Sequence, residues 1–281
     1  MMRLRSVRML IMLAVCGVDH LSLGAQPNDL DSPFVVVFID SKSEHVFGQF
    51  PYDRSVYAQG IDRAAALGAK GVILKFFIDK PRTSEGDNRL VRAAMATKLI
   101  VQARLDDLEP TPNPLPDRFR LPMTIEKAGN PLSGKSGWLP LPALSAAAYD
   151  VGFIDNRVID RMPIIERYGD RFVKSLFLCG VELAYGEHAE IVPGKTVRLH
   201  GKTVALDDRS EIGIEYPKTN GLPFISFCDF VGPIPHPEVK NKVVILAYDS
   251  ERFAAIDTPL GKVRPHRAFV FALMSIYGRF K

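Results

Sequence analysis

The chain has 281 residues, 47% of them hydrophobic and 24% charged, with a formal net charge of +4. At roughly 150 residues per domain this is one large or two modest domains, with a core large enough to need no staples. So weak a positive balance gives no sign of a nucleic-acid partner.

The N-terminus carries Arg3, Arg5 and Arg8, a mostly apolar run from Met9 to Val18, and Leu23-Gly24-Ala25 before Gln26. Basic, apolar and small residues in that order read as a secretory leader over residues 1–25. The apolar run is shorter than the roughly 20 residues a membrane span needs, and no later stretch reaches that length without a charge. The expectation is a soluble mature chain of residues 26–281, forming one domain and found in the periplasm or secreted. A second cut is open, because Leu13-Ala14-Val15-Cys16 resembles a lipobox and would anchor the chain through Cys16. Beyond the leader, Cys179 and Cys228 are either a disulfide or two small buried hydrophobes.

Val35 to Ile39 is a continuous β-branched run, a strand buried on both faces, and Asp40 stops it. Asp53 caps a helix whose apolar stripe is Val56, Tyr57, Ile61, Ala64 and Ala65, and Gly68 supplies the left-handed residue that closes it. A second strand, Val72 to Phe77, must then be parallel to the first. With both strands central and side by side, Asp40 falls within reach of Lys75, the partner that a buried lysine needs. Asp87 caps a further helix with Leu90, Val91, Ala94 and Met95 on its face, and Leu99 to Ala103 is a third strand. The alternation gives a parallel sheet with helices on its faces.

Prolines 110, 112, 114, 116 and 122 make residues 106–122 an extended surface connection. Gly129 to Ser136 spells a phosphate loop, but Gly137, Pro140 and Pro142 keep a helix from starting at Lys135-Ser136, so it reads as an exposed loop. Leu144 to Tyr149 is helix-prone, Val151 to Ile154 a strand and Arg157 to Arg167 its partner. Phe172 to Tyr185 reads as a helix closed by Gly186. Alternation at Thr196–Leu199, Thr203–Leu206 and Glu211–Tyr216 marks a small antiparallel insertion over about 195–216. Phe224 to Phe230 is a short helix or turn. Lys242 to Tyr248 is the last core strand, ending at Asp249, and the closing helix runs from His266 to Tyr277. The fold class is therefore α/β, a central and mostly parallel sheet with helices on both faces and that antiparallel insertion.

The succession Ile39-Asp40, Phe47-Gly48-Gln49-Phe50-Pro51-Tyr52-Asp53-Arg54, Tyr57-Ala58 and Leu67-Gly68-Ala69-Lys70-Gly71-Val72 resembles the start of the type-2 CHASE domain. Val151 to Asp155, Lys242 to Leu246, Asp257-Thr258-Pro259 and Pro265 to Ala268 extend the resemblance over most of residues 34–275. It implies an extracellular sensor, here in an exported freestanding version. The implied partners are an unknown small molecule and a membrane-bound kinase, cyclase or secretion component. Two positions depart from the family pattern. Lys75 stands where the family carries an acidic residue, and Ala247 to Arg252 replaces a glycine-rich turn.

Ligands of open α/β sheets bind beyond the carboxyl ends of the strands. Asp40, Lys75, Asp249, Asp257 and His266 should converge there, and Arg54 closes the long N-terminal motif of the resemblance. These six are the candidate ligand-binding residues. For Asp40 and Asp249 the plain alternative is a strand terminator, and for His266 a helix cap. No cofactor or metal site is expected, since His188, His200, His236 and His266 lack metal-ligand spacing. The sequence holds no G-x-S-x-G, S-x-x-K, H-E-x-x-H or C-x-x-C pattern. A hydrolase-like enzyme assembled from Asp40, Asp257 and His266 is the alternative, because triads form in space rather than along the chain.

Overall fold

The computed structural model describes residues 32–107, 114–122, 129–155 and 158–281. The leader, the Ala25 cut, Cys16, Pro110, Pro112 and residue 157 lie outside the described residues.

Strand β1 (Phe34–Ile39) is buried along its whole length. Phe34, Val36 and Phe38 enter one apolar layer and Val35, Val37 and Ile39 the other, which is why the run does not alternate with polar residues. Asp40 begins α1 (Ser41–Phe47) by accepting the Ser43 N–H at 2.9 Å. Asp53 begins α2 (Arg54–Ala66) through the Ser55 N–H, also at 2.9 Å, and Gly68 follows at φ +76°. Gly60 lets α2 approach the short helix described below, since a Cβ there would sit 2.6 Å from the Phe227 ring.

Next come β2 (Gly71–Leu74), α3 (Ser84–Ala96) and β3 (Leu99–Asp106). The α3 cap is Thr83, whose Oγ1 accepts the Gly86 N–H at 3.1 Å, and not Asp87. The buried face is Leu90, Ala93 and Ala94, and Met95 is 74% exposed.

The middle of the chain holds β4 (Ser133–Gly134), β5 (Ser136–Trp138), α4 (Pro142–Ala147), β6 (Asp150–Phe153), β7 (Arg161–Pro163), β8 (Ile165–Tyr168) and β9 (Arg171–Lys174). The phosphate-loop look-alike is thus a pair of short strands with Lys135 exposed between them, and no helix follows the lysine. Helix α5 (Leu176–Tyr185) starts later than expected because Ser175 caps it, its Oγ accepting the Leu178 N–H at 3.2 Å. Phe172 therefore belongs to β9. Gly186 closes α5 at φ +78°.

Three strands follow, β10 (Glu190–Val192), β11 (Thr196–Leu199) and β12 (Lys202–Ala205), forming an antiparallel sheet. Its tight turn is His200-Gly201, both with positive φ, as a two-residue hairpin demands. The third strand of this insertion is β10 rather than Glu211–Tyr216. The segment β13 (Glu211–Gly213) pairs with β7 instead.

The last elements are β14 (Ile225–Ser226), α6 (Phe227–Phe230), β15 (Val243–Tyr248), β16 (Ile256–Thr258), β17 (Gly261–Val263) and α7 (Pro265–Gly278). The main sheet runs β14-β1-β15-β2-β3, with β6 parallel to the first part of β3 and β5 antiparallel to its end. Helices α5 and α7 cover one face and α2 and α3 the other. The class is α/β as expected, with more small sheets than the single insertion foreseen. Cys179, buried in the α5 and α7 layer, and Cys228 are both free thiols.

Candidate functional site

Strand periodicity puts Lys75 in the layer of Ile73, beneath α7, and extending the Leu74↔Val101 register by one residue sets it opposite Gln102. Its Nζ donates to Gln102 Oε1 at 2.6 Å and lies 4.9 Å from the Phe269 ring centroid. Burial pushes the amine down to about 7. The expected contact with Asp40 is not made, because β15 lies between β1 and β2. Two strand spacings, roughly 9.6 Å, then separate the two strands. Asp40 is spent locally, accepting from Ser43 Oγ at 2.8 Å and Ser226 Oγ at 2.7 Å as well as capping α1.

His266 stands in the first turn of α7, and its Nδ1 faces the Tyr248 N–H at 2.9 Å. A backbone N–H only donates, so Nδ1 is the acceptor and the ring proton sits on Nε2. Burial first, and then the neighbouring charge of Lys75, push the ring down to about 3, so it stays neutral. Asp249 is buried and clamped by Arg264 and by Arg267, whose Nε donates at 2.8 Å. Burial alone would raise its pKa, but the hydrogen bonds from Arg264 and Arg267 outweigh that and hold it below the usual range.

Asp257 is elsewhere. It lies on the β16–β17 hairpin with its side chain 87% exposed, 3.4 Å from Lys262. Asp40, Asp257 and His266 therefore form no triad. In a triad the carboxylate accepts from the imidazole N–H, whereas here that nitrogen accepts from backbone.

Arg54 is buried at the start of α2. Its guanidinium donates to the Lys80 carbonyl at 3.2 Å and lies 3.8 Å from Asp87, and burial lowers its pKa. Together with Lys75 and His266 it lines a cavity of about 730 Å³ beyond the carboxyl ends of β2 and β3. Phe50, Phe76, Phe77, Trp138 and Phe253 give the cavity aromatic walls. Gln102 reaches it from β3, and Asp79, Lys80, Arg82 and Arg104 stand around it. The cavity thus takes three of the six sequence candidates, Arg54, Lys75 and His266, and leaves out Asp40, Asp249 and Asp257.

Gln102, Trp138 and Phe253 were not foreseen. A polar residue inside the otherwise apolar run Leu99–Ala103 was a readable signal for Gln102. Trp138 and Phe253 reach the cavity from a short strand and a loop that no periodicity marks.

Arg104 leads to a second polar cluster. Its Nε lies 3.7 Å from Asp155, which accepts the Leu105 N–H at 2.6 Å. Glu166 beside it is fully buried, with one oxygen accepting the Asp155 N–H at 3.2 Å and its carboxyl in a side-chain hydrogen bond with that of Asp155. Burial, then the Asp155 charge, push the Glu166 carboxyl well above its usual range. Among the described residues no cluster of three or more His, Cys, Asp and Glu could hold a metal ion, and no helix is long and apolar enough to cross a membrane.

The carboxyl edge of the parallel sheet thus carries an aromatic-walled, cation-lined cavity, at the place where open α/β sheets hold their ligands. The CHASE2 domain matches residues 2–277, nearly the whole chain, and the protein belongs to that family. It is a family of extracellular sensory domains, not of enzymes. No curated protein and no solved structure matches the chain.

Proposed function

We propose that the protein is an extracytoplasmic sensory domain whose cue is a small molecule held in the 730 Å³ cavity. Its bound state is passed on by docking to a membrane-bound kinase, cyclase or secretion component. The leader of residues 1–25 exports it, and the mature chain begins at Gln26. One observation carries the reading: Lys75 is buried in the cavity wall, and among the described residues its hydrogen-bond partner is a neutral amide oxygen. Such a lysine costs stability, and a group perturbed this way in a cleft marks a binding site.

The test is a thermal-shift screen of small metabolites on the purified chain, with hits mapped by NMR chemical-shift changes. Hits should perturb Lys75, Phe77 and His266. Hits that map only to other surfaces, or a screen without hits, would remove the cavity from the argument.

A further inference from the structure

We infer that the cavity is built for a small carboxylate carrying an aromatic body, with Lys75 and His266 receiving the carboxylate. This rests on the small-molecule reading and names its ligand class. The polar groups that meet in the cavity are mostly donors: the Lys75 amine, the Arg54 guanidinium and the Nε2–H of His266. Gln102 Oε1 is already taken by Lys75, and Asp79 is the single acid on the lining. A ligand rich in acceptors fits this set, and one rich in donors does not.

Charge points the same way. Of the other cations of the lining, Arg54 faces Asp87 at 3.8 Å and Arg104 lies 3.7 Å from Asp155, while Arg82 donates to the Pro51 carbonyl at 2.8 Å and Lys80 is exposed to solvent. Lys75 is buried with no carboxylate beside it among the described residues, so an arriving carboxylate completes an ion pair. Helix α7 adds to the field, since no side chain caps its first turn and Pro265 and His266 bring that end to the cavity. The body of the ligand follows from the walls. Phe50, Phe77 and Trp138 surround a volume within the usual range for organic ligands, and a bare inorganic anion would leave that apolar surface unfilled.

Three probes share one body and differ in charge: indole-3-acetate, indole-3-acetamide and tryptamine. Titration calorimetry on the full chain should show the acid binding about tenfold or more tighter than the amide, as a charge-assisted hydrogen bond supplies, and no binding of the amine. Lys75→Met should erase the preference for acid over amide, the acid losing more affinity than the amide. Trp138→Ala should weaken acid and amide equally. Equal binding of acid and amide, or preference for the amine, would overturn the carboxylate assignment while the cavity reading stands. Inorganic phosphate competing as well as indole-3-acetate would overturn the aromatic body. If none of the three indoles binds at millimolar concentration the inference fails, and the metabolite screen above decides the cavity on its own.

Discussion

Lys75 Nζ sits 2.6 Å from Gln102 Oε1, and among the described residues no carboxylate shares that contact. The sign of the Lys75 contribution to stability is therefore set by burial. Its folded value, about 7, lies below the 10.5 of a free lysine. Between those values the unfolded chain binds the extra proton, so stability rises with pH at up to about 1.4 kcal/mol per unit. Lys75→Met should stabilise the protein most below about pH 7 and progressively less toward 10.5. Urea denaturation across that interval measures the slope. The groups facing the amine are Gln102 on β3 and His266 and Phe269 on α7, and only His266 among them titrates, well below the interval. A slope identical in wild type and variant would refute the burial of a charged amine. The Asp40→Asn and Lys75→Met effects should add within about 0.5 kcal/mol, since a strand separates the two residues.

Asp249 and Asp257 were equivalent candidates in the sequence, and the fold makes them opposites. Asp249→Ala leaves Arg264 and Arg267 without their buried carboxylate and should cost about 3–5 kcal/mol. Asp257→Asn on the exposed hairpin should stay within about 0.5 kcal/mol. The folded Asp249 carboxyl titrates below the ordinary 3.8, so its contribution is complete above that value and lost as pH falls beneath it. Thermal melts of the two variants decide the matter, and equal losses would contradict the clamp.

Glu166 has the opposite sign. Its folded pKa is raised above 4.5, so the folded state holds a proton that the unfolded chain releases, and stability falls as pH rises past 4.5. Glu166→Gln keeps an oxygen for the Asp155 N–H and cannot ionise. The variant should gain on wild type as pH climbs from 4.5, read as a widening difference in Tm. Asp155 and, through it, Arg104 are the charged groups nearby, and Asp155→Asn should reduce the difference. Parallel pH profiles for wild type and Glu166→Gln would be the contrary result.

Lys135 tests the phosphate-loop look-alike. Its side chain is exposed, and its backbone N–H donates to Asp107 at 2.6 Å. Lys135→Ala should change stability by no more than about 0.5 kcal/mol, and magnesium with ATP should not move the Tm. A stabilisation of several degrees that disappears in the variant would restore the nucleotide reading.

The legible parts of the fold were those with local causes. The β-branched runs of β1, β2 and β15, the Asp53 cap and the Gly68 and Gly186 closures all act within a few residues of themselves. Strand order was not legible, because nothing in Val35–Ile39 or Val72–Phe77 records which third strand comes between them. That one omission turned Asp40 into an apparent partner of Lys75. The site was half legible: Lys75 and His266 sit at element ends that periodicity fixes, and Arg54 was marked by the motif of the resemblance. Asp257 was misjudged because the short β16–β17 hairpin, which carries it out to solvent, leaves no periodic trace. Phe172 was misassigned because an apolar strand running into an apolar helix has one hydrophobic signature, and only Ser175 marks the change.

The position of β15 has a consequence for how the protein is made. Val35 meets Val244, a separation of 244 − 35 = 209 residues, and β15 alone bridges β1 and β2. A ribosome that has released every other strand of the main sheet still holds back the one that joins its two halves. Until then β1 and β2 present bare edges toward each other, the kind of surface on which nascent chains aggregate. Contacts this distant also close slowly. The two halves of the main sheet therefore join only after β15 has been made.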